Sequence, residues 1–219
     1  MVFTAVTALI IKELRVEWRQ KSAIAGILLY LAATMFTAFL AFEGLIGPRE
    51  WNALFWLIMI FTSINAVLKS FIQESDARHL YYYTLVSPTE MIGAKIIYNA
   101  LLMLVLGVFG FGVFMVFMGM PIGSPWLFFL NMIIGMTGFA SVFTLVSAIA
   151  SRAGGNFTLM AILGFPLVLP LLLLLTRVSA MCVSGTSFVL VSGDMLITVM
   201  LVIVSVILSV LLFPYIWRE

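Results

Sequence analysis

A chain of 219 residues that is 64% hydrophobic and only 9% charged has too little polar surface to cover a water-soluble globule, since soluble domains carry about 25% charged residues. The net charge of +2 is too small to point to nucleic acid, and the single cysteine, Cys182, excludes an intrachain disulfide and a cysteine-based metal cluster. With a mean hydropathy of +1.24, the apolar stretches are read against a hydrocarbon layer of about 30 Å.

Residues 1–22 form the first element. Phe3, Val6, Ile10, Leu14 and Trp18 recur at helical spacing and predict one apolar face, with Lys12, Arg15 and Arg19 on the other and Glu13, Glu17 and Lys21 as i,i+4 neighbours. Such an amphipathic helix is expected to lie along the cytoplasmic membrane surface with its bases near anionic lipid. It reads either as a membrane anchor or as a docking element for a cytoplasmic partner. Its charges precede the first long apolar run and no small-residue cleavage pattern follows closely, so no cleavable signal peptide is expected.

Residues 23–219 form a transmembrane domain. Six runs, roughly 23–42, 51–72, 94–118, 126–150, 157–176 and 195–214, are long and apolar enough to cross as helices. The strict alternation of a barrel strand is absent, so helices must satisfy the backbone inside lipid. Lys12, Arg15, Arg19, Lys21, Lys69, Arg78, Lys95, Arg152 and Arg218 fall on one side, nine of the eleven basic residues, against Arg49 and Arg177 on the other. The positive-inside rule then places both termini in the cytoplasm. The fold class is all-α: a polytopic protein with six spans preceded by a surface helix.

Between the second and third spans, residues 73–90 (QESDARHLYYYTLVSPTE) form the longest polar segment. Glu74, Asp76, Arg78 and His79 are expected to start a short helix, with Tyr81, Tyr82 and Tyr83 at the interface and Pro88 ending it before Lys95 opens the third span. The segment reads as a solvated turn with an aromatic belt, or as a contact for a partner. His79 is the only histidine and sits in this charged loop, outside the bilayer, where a solvated role is favoured over ligation. A serine protease within the membrane therefore lacks its base, and an aspartyl mechanism lacks its dyad, because Glu43 and Asp194 fall at outer boundaries. The chain is not expected to be an enzyme, and no metal or cofactor is expected on it.

Further along, Thr137, Ser141, Thr144, Ala148 and Ser151 make a stripe of small residues, read as a packing seam in preference to the lining of a path. Asn65 and Asn131 are expected to face protein. Arg152, Gly154 and Gly155 mark a tight turn, and Pro166 and Pro170 in the next span predict a kink that is either static architecture or a moving part. Residues 177–194 are apolar but broken by glycine, and are expected to dip into the outer leaflet without crossing.

The whole chain resembles the CcmB family, the membrane subunits of the ABC-type haem exporter of bacterial cytochrome c maturation. The resemblance rests on length, six spans and the basic amphipathic start, with two local signatures. One is the acidic loop through Leu80 and Leu85 to Ser87 and Pro88, with Lys95 following; the other is Arg152, Gly154 and Gly155, then Pro166, Leu167 and Pro170. The loop departs from the family where Tyr81, Tyr82 and Tyr83 stand in place of a leucine-rich stretch, and in having no glycine near His79.

The resemblance implies a permease-like subunit, of the ABC exporter type, in the bacterial cytoplasmic membrane. It would partner a cytoplasmic ATPase and a second, haem-handling membrane subunit, with ATP hydrolysis driving release of a haem-loaded chaperone. No G-x-x-x-x-G-K-[ST] loop occurs, so ATP is expected on the partner chain and haem in the complex. Within that picture Glu74, Asp76, Arg78, His79, Leu80, Leu85 and Pro88 are the candidate coupling residues. Lys12, Arg15 and Arg19 are the candidate docking residues of the first helix. A homodimer or a heteromeric partner is expected, since six helices are few to enclose a path. The alternatives are the permease of an exporter for a lipid, glycan or drug, and a scaffold that transports nothing.

Overall fold

The computed structural model describes residues 2–19, 21–43, 46–72, 86–152 and 157–218. These form seven helices and no strand: α1 (Val2–Arg19), α2 (Lys21–Ala41), α3 (Pro48–Ile72), α4 (Pro88–Met118), α5 (Pro125–Arg152), α6 (Phe157–Val183) and α7 (Phe188–Arg218). Helices α2 to α7 are each long and apolar enough to cross a membrane. In lipid a backbone N–H or C=O has no water to bond, so a helix, which closes every bond within itself, is the stable form of such a run. The chain is an all-helical, six-span membrane protein.

Two boundaries differ from the sequence reading. Pro88 begins α4 instead of ending a preceding helix. Ser87 is extended (φ −71°, ψ 150°) and its side chain accepts from the Glu90 N–H, while the Glu90 carboxylate accepts from the Ser87 N–H at 3.0 Å. This capping box, with proline at the first helical position where no N–H is needed, starts the span six residues before the expected boundary. The second difference is at residues 177–194, which do not form a dipping loop. Helix α6 runs to Val183 and α7 starts at Phe188, leaving a four-residue turn in which Gly185 takes φ +74°. The Ser184 N–H bonds Ala180 O and the Thr186 N–H bonds Met181 O, both at 3.0 Å, which satisfies the last carbonyls of α6. Arg177 Nε then meets Asp194 Oδ2 at 2.9 Å across the two helices.

Helix α5 is the centre of the bundle. Of its spanning stretch, 78% is buried, against 17% for α2 and for α7. Gly135 and Gly138 let neighbours close in on it. A Cβ at Gly135 would lie 2.7 Å from the Trp56 ring, and one at Gly138 would lie 2.6 Å from Leu171. Around α5 sits an aromatic cluster of Trp51, Phe55, Trp56, Phe111, Phe114, Phe128 and Phe139, with neighbouring ring centroids between 5.0 and 6.1 Å apart. Helix α6 continues through both Pro166 and Pro170, which lie exposed on its surface.

Six crossings place the α2–α3, α4–α5 and α6–α7 connections at the end opposite α1. That end is tied by backbone bonds. The Gly123 N–H donates to Val183 O at 3.1 Å and the Ser124 N–H to Cys182 O at 2.9 Å, while Trp51 Nε1–H donates to Gly119 O at 3.1 Å. Gly123 rests so close to Gly185 that a Cβ on it would fall 2.6 Å from the Gly185 Cα.

Candidate functional site

At the other end, α1 lies against the first turns of α4 and beside α2. Leu9 is buried among Met91, Ile92, Ala94, Ile96, Ala148 and Phe213, with Val6 and Ile10 packed beside it. Positions 95, 98 and 99 share one face of α4, being three and four residues apart. Lys95 is 1% exposed, and its Nζ lies 3.5 Å from Glu13 Oε1. The same carboxylate oxygen is 3.0 Å from Lys12 Nζ. One turn on, the Tyr98 hydroxyl donates to Glu17 Oε2 at 3.0 Å. A buried ammonium is tolerated only when a counter-charge is supplied. Here α1 supplies it.

This arrangement revises the expected faces of α1. Val6 and Ile10 turn inward, but Leu14, assigned to the same face by spacing, is exposed together with Ile11. Glu13 and Glu17 point inward because Lys95 and Tyr98 are there to meet them. Arg15 and Arg19 remain outward.

Below Lys95 the polar contacts pass into the bundle and become neutral. Asn99 Nδ2 donates to Thr144 Oγ1 at 2.8 Å. Ser141 and Ser205 hydroxyls are 2.5 Å apart, and Ser209 donates to Ser141 O at 3.3 Å. These contacts join α5 to α4 and α7, so two residues of the small stripe do form a seam; Thr137 instead bonds its own helix at Ile133 O. On the other side of α5, Ser179 Oγ accepts from Trp56 Nε1 at 2.6 Å and from Asn131 Nδ2 at 2.9 Å. Asn52 Nδ2 donates to Thr176 O at 2.8 Å. Asn131 thus faces protein as expected, whereas half-buried Asn65 donates to Phe61 O of its own helix at 2.9 Å.

Of the residues singled out from the sequence, Glu74, Asp76, Arg78, His79, Leu80, Leu85, Gly154 and Gly155 lie outside the described residues, and Arg152 is placed as the last residue of α5. Pro88 is the first residue of α4, and Lys12 is drawn into the Glu13 pair. Sequence reasoning missed Glu13, Glu17, Lys95 and Tyr98 as a unit. The signal was present: Lys95 stands between Ile92 and Ile96 in an apolar run, and two acids one turn apart on α1 were available to neutralise it.

The CcmB family model, described as CcmB protein, matches residues 4–217, nearly the whole chain. The chain belongs to the CcmB family. A comparison with individually curated proteins finds no match. CcmB membership makes the chain a membrane subunit of a transporter in cytochrome c biogenesis and haem transport, a permease-type component that is not itself catalytic. In this CcmB-family chain the Lys95–Glu13 and Tyr98–Glu17 contacts fasten α1 to α4 about two turns beyond the Ser87 cap.

Proposed function

We propose that this chain is the coupling membrane subunit of a haem-exporting ABC complex in the bacterial cytoplasmic membrane, with both termini in the cytoplasm. The 73–90 segment receives a separate ATPase subunit, with Glu74, Asp76 and Arg78 as its polar contacts, and haem is cargo handled by a second membrane subunit of the complex. The observation that carries this reading is the α1–α4 clasp. The segment ends in the Ser87–Glu90 capping box that starts α4. Two turns later, α4 is fastened to α1 by the buried Lys95 and by Tyr98. A push on the segment therefore moves α1 and α4 as one body, while the opposite end of the bundle stays tied through Gly123, Ser124 and Trp51.

Exposed apolar faces of α2 and α7 offer room for the second membrane subunit beside the bilayer. The test is charge reversal at the segment, Glu74→Lys with Asp76→Lys. Loss of ATPase association and of mature c-type cytochromes, with the chain still in the membrane, supports the reading. Retention of both removes the segment as the coupling element.

A further inference from the structure

Helix α1 has only two acidic residues, Glu13 and Glu17, and both are committed inward, to Lys95 and Lys12 and to Tyr98. What it presents outward is a different surface. Arg15 and Arg19 are exposed, one turn apart, and neither has a hydrogen-bond or ion-pair partner among the described residues. Beside them Ile11 and Leu14 are 48% and 47% exposed. These four side chains line one shallow open hollow.

The height of this hollow follows from what α1 packs against. Its inward face packs on the first turns of α4 and belongs to one buried cluster with the ends of α5 and α7, at Met91, Ala148 and Phe213. All three are at the ends of spans on one side of the bundle, the level at which phospholipid headgroups meet the acyl chains. A surface there with two unpaired guanidiniums next to two bare aliphatic side chains matches an amphiphile carrying a negative head.

We propose that this face of α1 is a binding site for an anionic phospholipid, its phosphate held between Arg15 and Arg19 and the start of an acyl chain lying over Ile11 and Leu14. The guanidinium fork suits phosphate oxygens, and the arginine stems add apolar contact on the way. The inner pairs make this division of labour workable: with its two acids turned away from the headgroups, α1 presents Arg15, Arg19, Ile11 and Leu14 outward. The site is independent of the cargo and of the coupling segment.

The experiment uses the full chain in nanodiscs made from phosphatidylcholine and phosphatidylglycerol, with native mass spectrometry of the lipid it keeps on release. The comparison variant is R15Q/R19Q, whose positions are exposed and unpaired, with its unfolding temperature checked in neutral detergent. Each basic residue at an anionic surface gives about a fivefold gain in binding, so the pair accounts for about 25-fold. The wild-type chain should retain phosphatidylglycerol over phosphatidylcholine, and R15Q/R19Q should lose that preference; R15K/R19K should keep part of it. Equal retention by wild type and R15Q/R19Q, or no headgroup preference in the wild type, overturns the proposal. So does a variant that keeps its lipid but no longer binds the ATPase subunit, which would assign the face to a protein partner.

Discussion

The Lys95 ammonium and the Glu13 carboxylate approach to 3.5 Å across two helices, with Lys95 almost wholly shielded from solvent at 1% exposed. Residue 13 lies on α1, which is not among the six long apolar helices, and residue 95 on α4, which is, so this contact joins the amphipathic helix to a span. Breaking a buried pair from one side leaves a charge behind, at a cost of about 3 kcal/mol. Glu13→Gln alone, which takes the carboxylate away from buried Lys95, should therefore lower the stability of the detergent-solubilised chain by up to about that amount, and Glu13→Gln with Lys95→Met should recover most of it. Thermal unfolding of the two variants separates a charge pair from simple packing. Equal destabilisation by both would mean that packing around residue 13, not the buried charge of Lys95, holds α1.

Ser179 receives two donors, the Trp56 indole and the Asn131 amide. Ser179→Ala leaves both donors buried without that partner and should cost about 2 kcal/mol. Asn65→Ala removes only a bond to its own helix, and should change stability by less than about 0.5 kcal/mol. Unfolding midpoints of the two variants check the contrast.

The end opposite α1 depends on two glycines in contact. A Cβ on Gly123 would lie 2.6 Å from the backbone of Gly185, and neither backbone can step aside while the Gly123–Val183 and Ser124–Cys182 bonds are kept. Gly123→Val should open this end. Cys182, buried and the only cysteine in the chain, is a built-in reporter. Maleimide labelling of Cys182, slow in the wild-type chain, should rise at least about tenfold in the variant, matching a destabilisation of about 1.4 kcal/mol or more.

Ser87 caps the start of α4, next to the segment proposed to receive the ATPase. Ser87→Ala removes the cap and should cost about 1 kcal/mol. Because the loss is local to the first turn, hydrogen exchange at residues 89–91 should quicken while the centre of α5 is unchanged.

Much of this architecture is legible in the sequence, because lipid imposes a simple rule: a long apolar run must be a helix. The six spans follow from that rule alone. Boundaries are harder, since they are set by short-range chemistry. Pro88 reads as a helix breaker until Ser87 and Glu90 are seen to cap the helix it begins. Gly185 and Gly193 look alike in the sequence, yet one makes the turn at φ +74° and the other sits inside α7. The clasp was hidden for another reason. Spacing along α1 groups Val6, Ile10 and Leu14 on one face, but the true division depends on Lys95 and Tyr98, some eighty residues away, as the Tyr98–Glu17 separation of 81 positions makes plain. Leu14 goes outward because the inward places are taken by acids that have partners.

The central claim is that this CcmB-family chain works as the membrane half of an ATP-driven complex. Its most direct test is purification of the tagged chain from its native membrane in mild detergent, with identification of the proteins that come with it. Recovery of an ATPase subunit together with a haem-handling membrane protein is the predicted result. Absence of any ATPase, under conditions that preserve other membrane complexes, would contradict it.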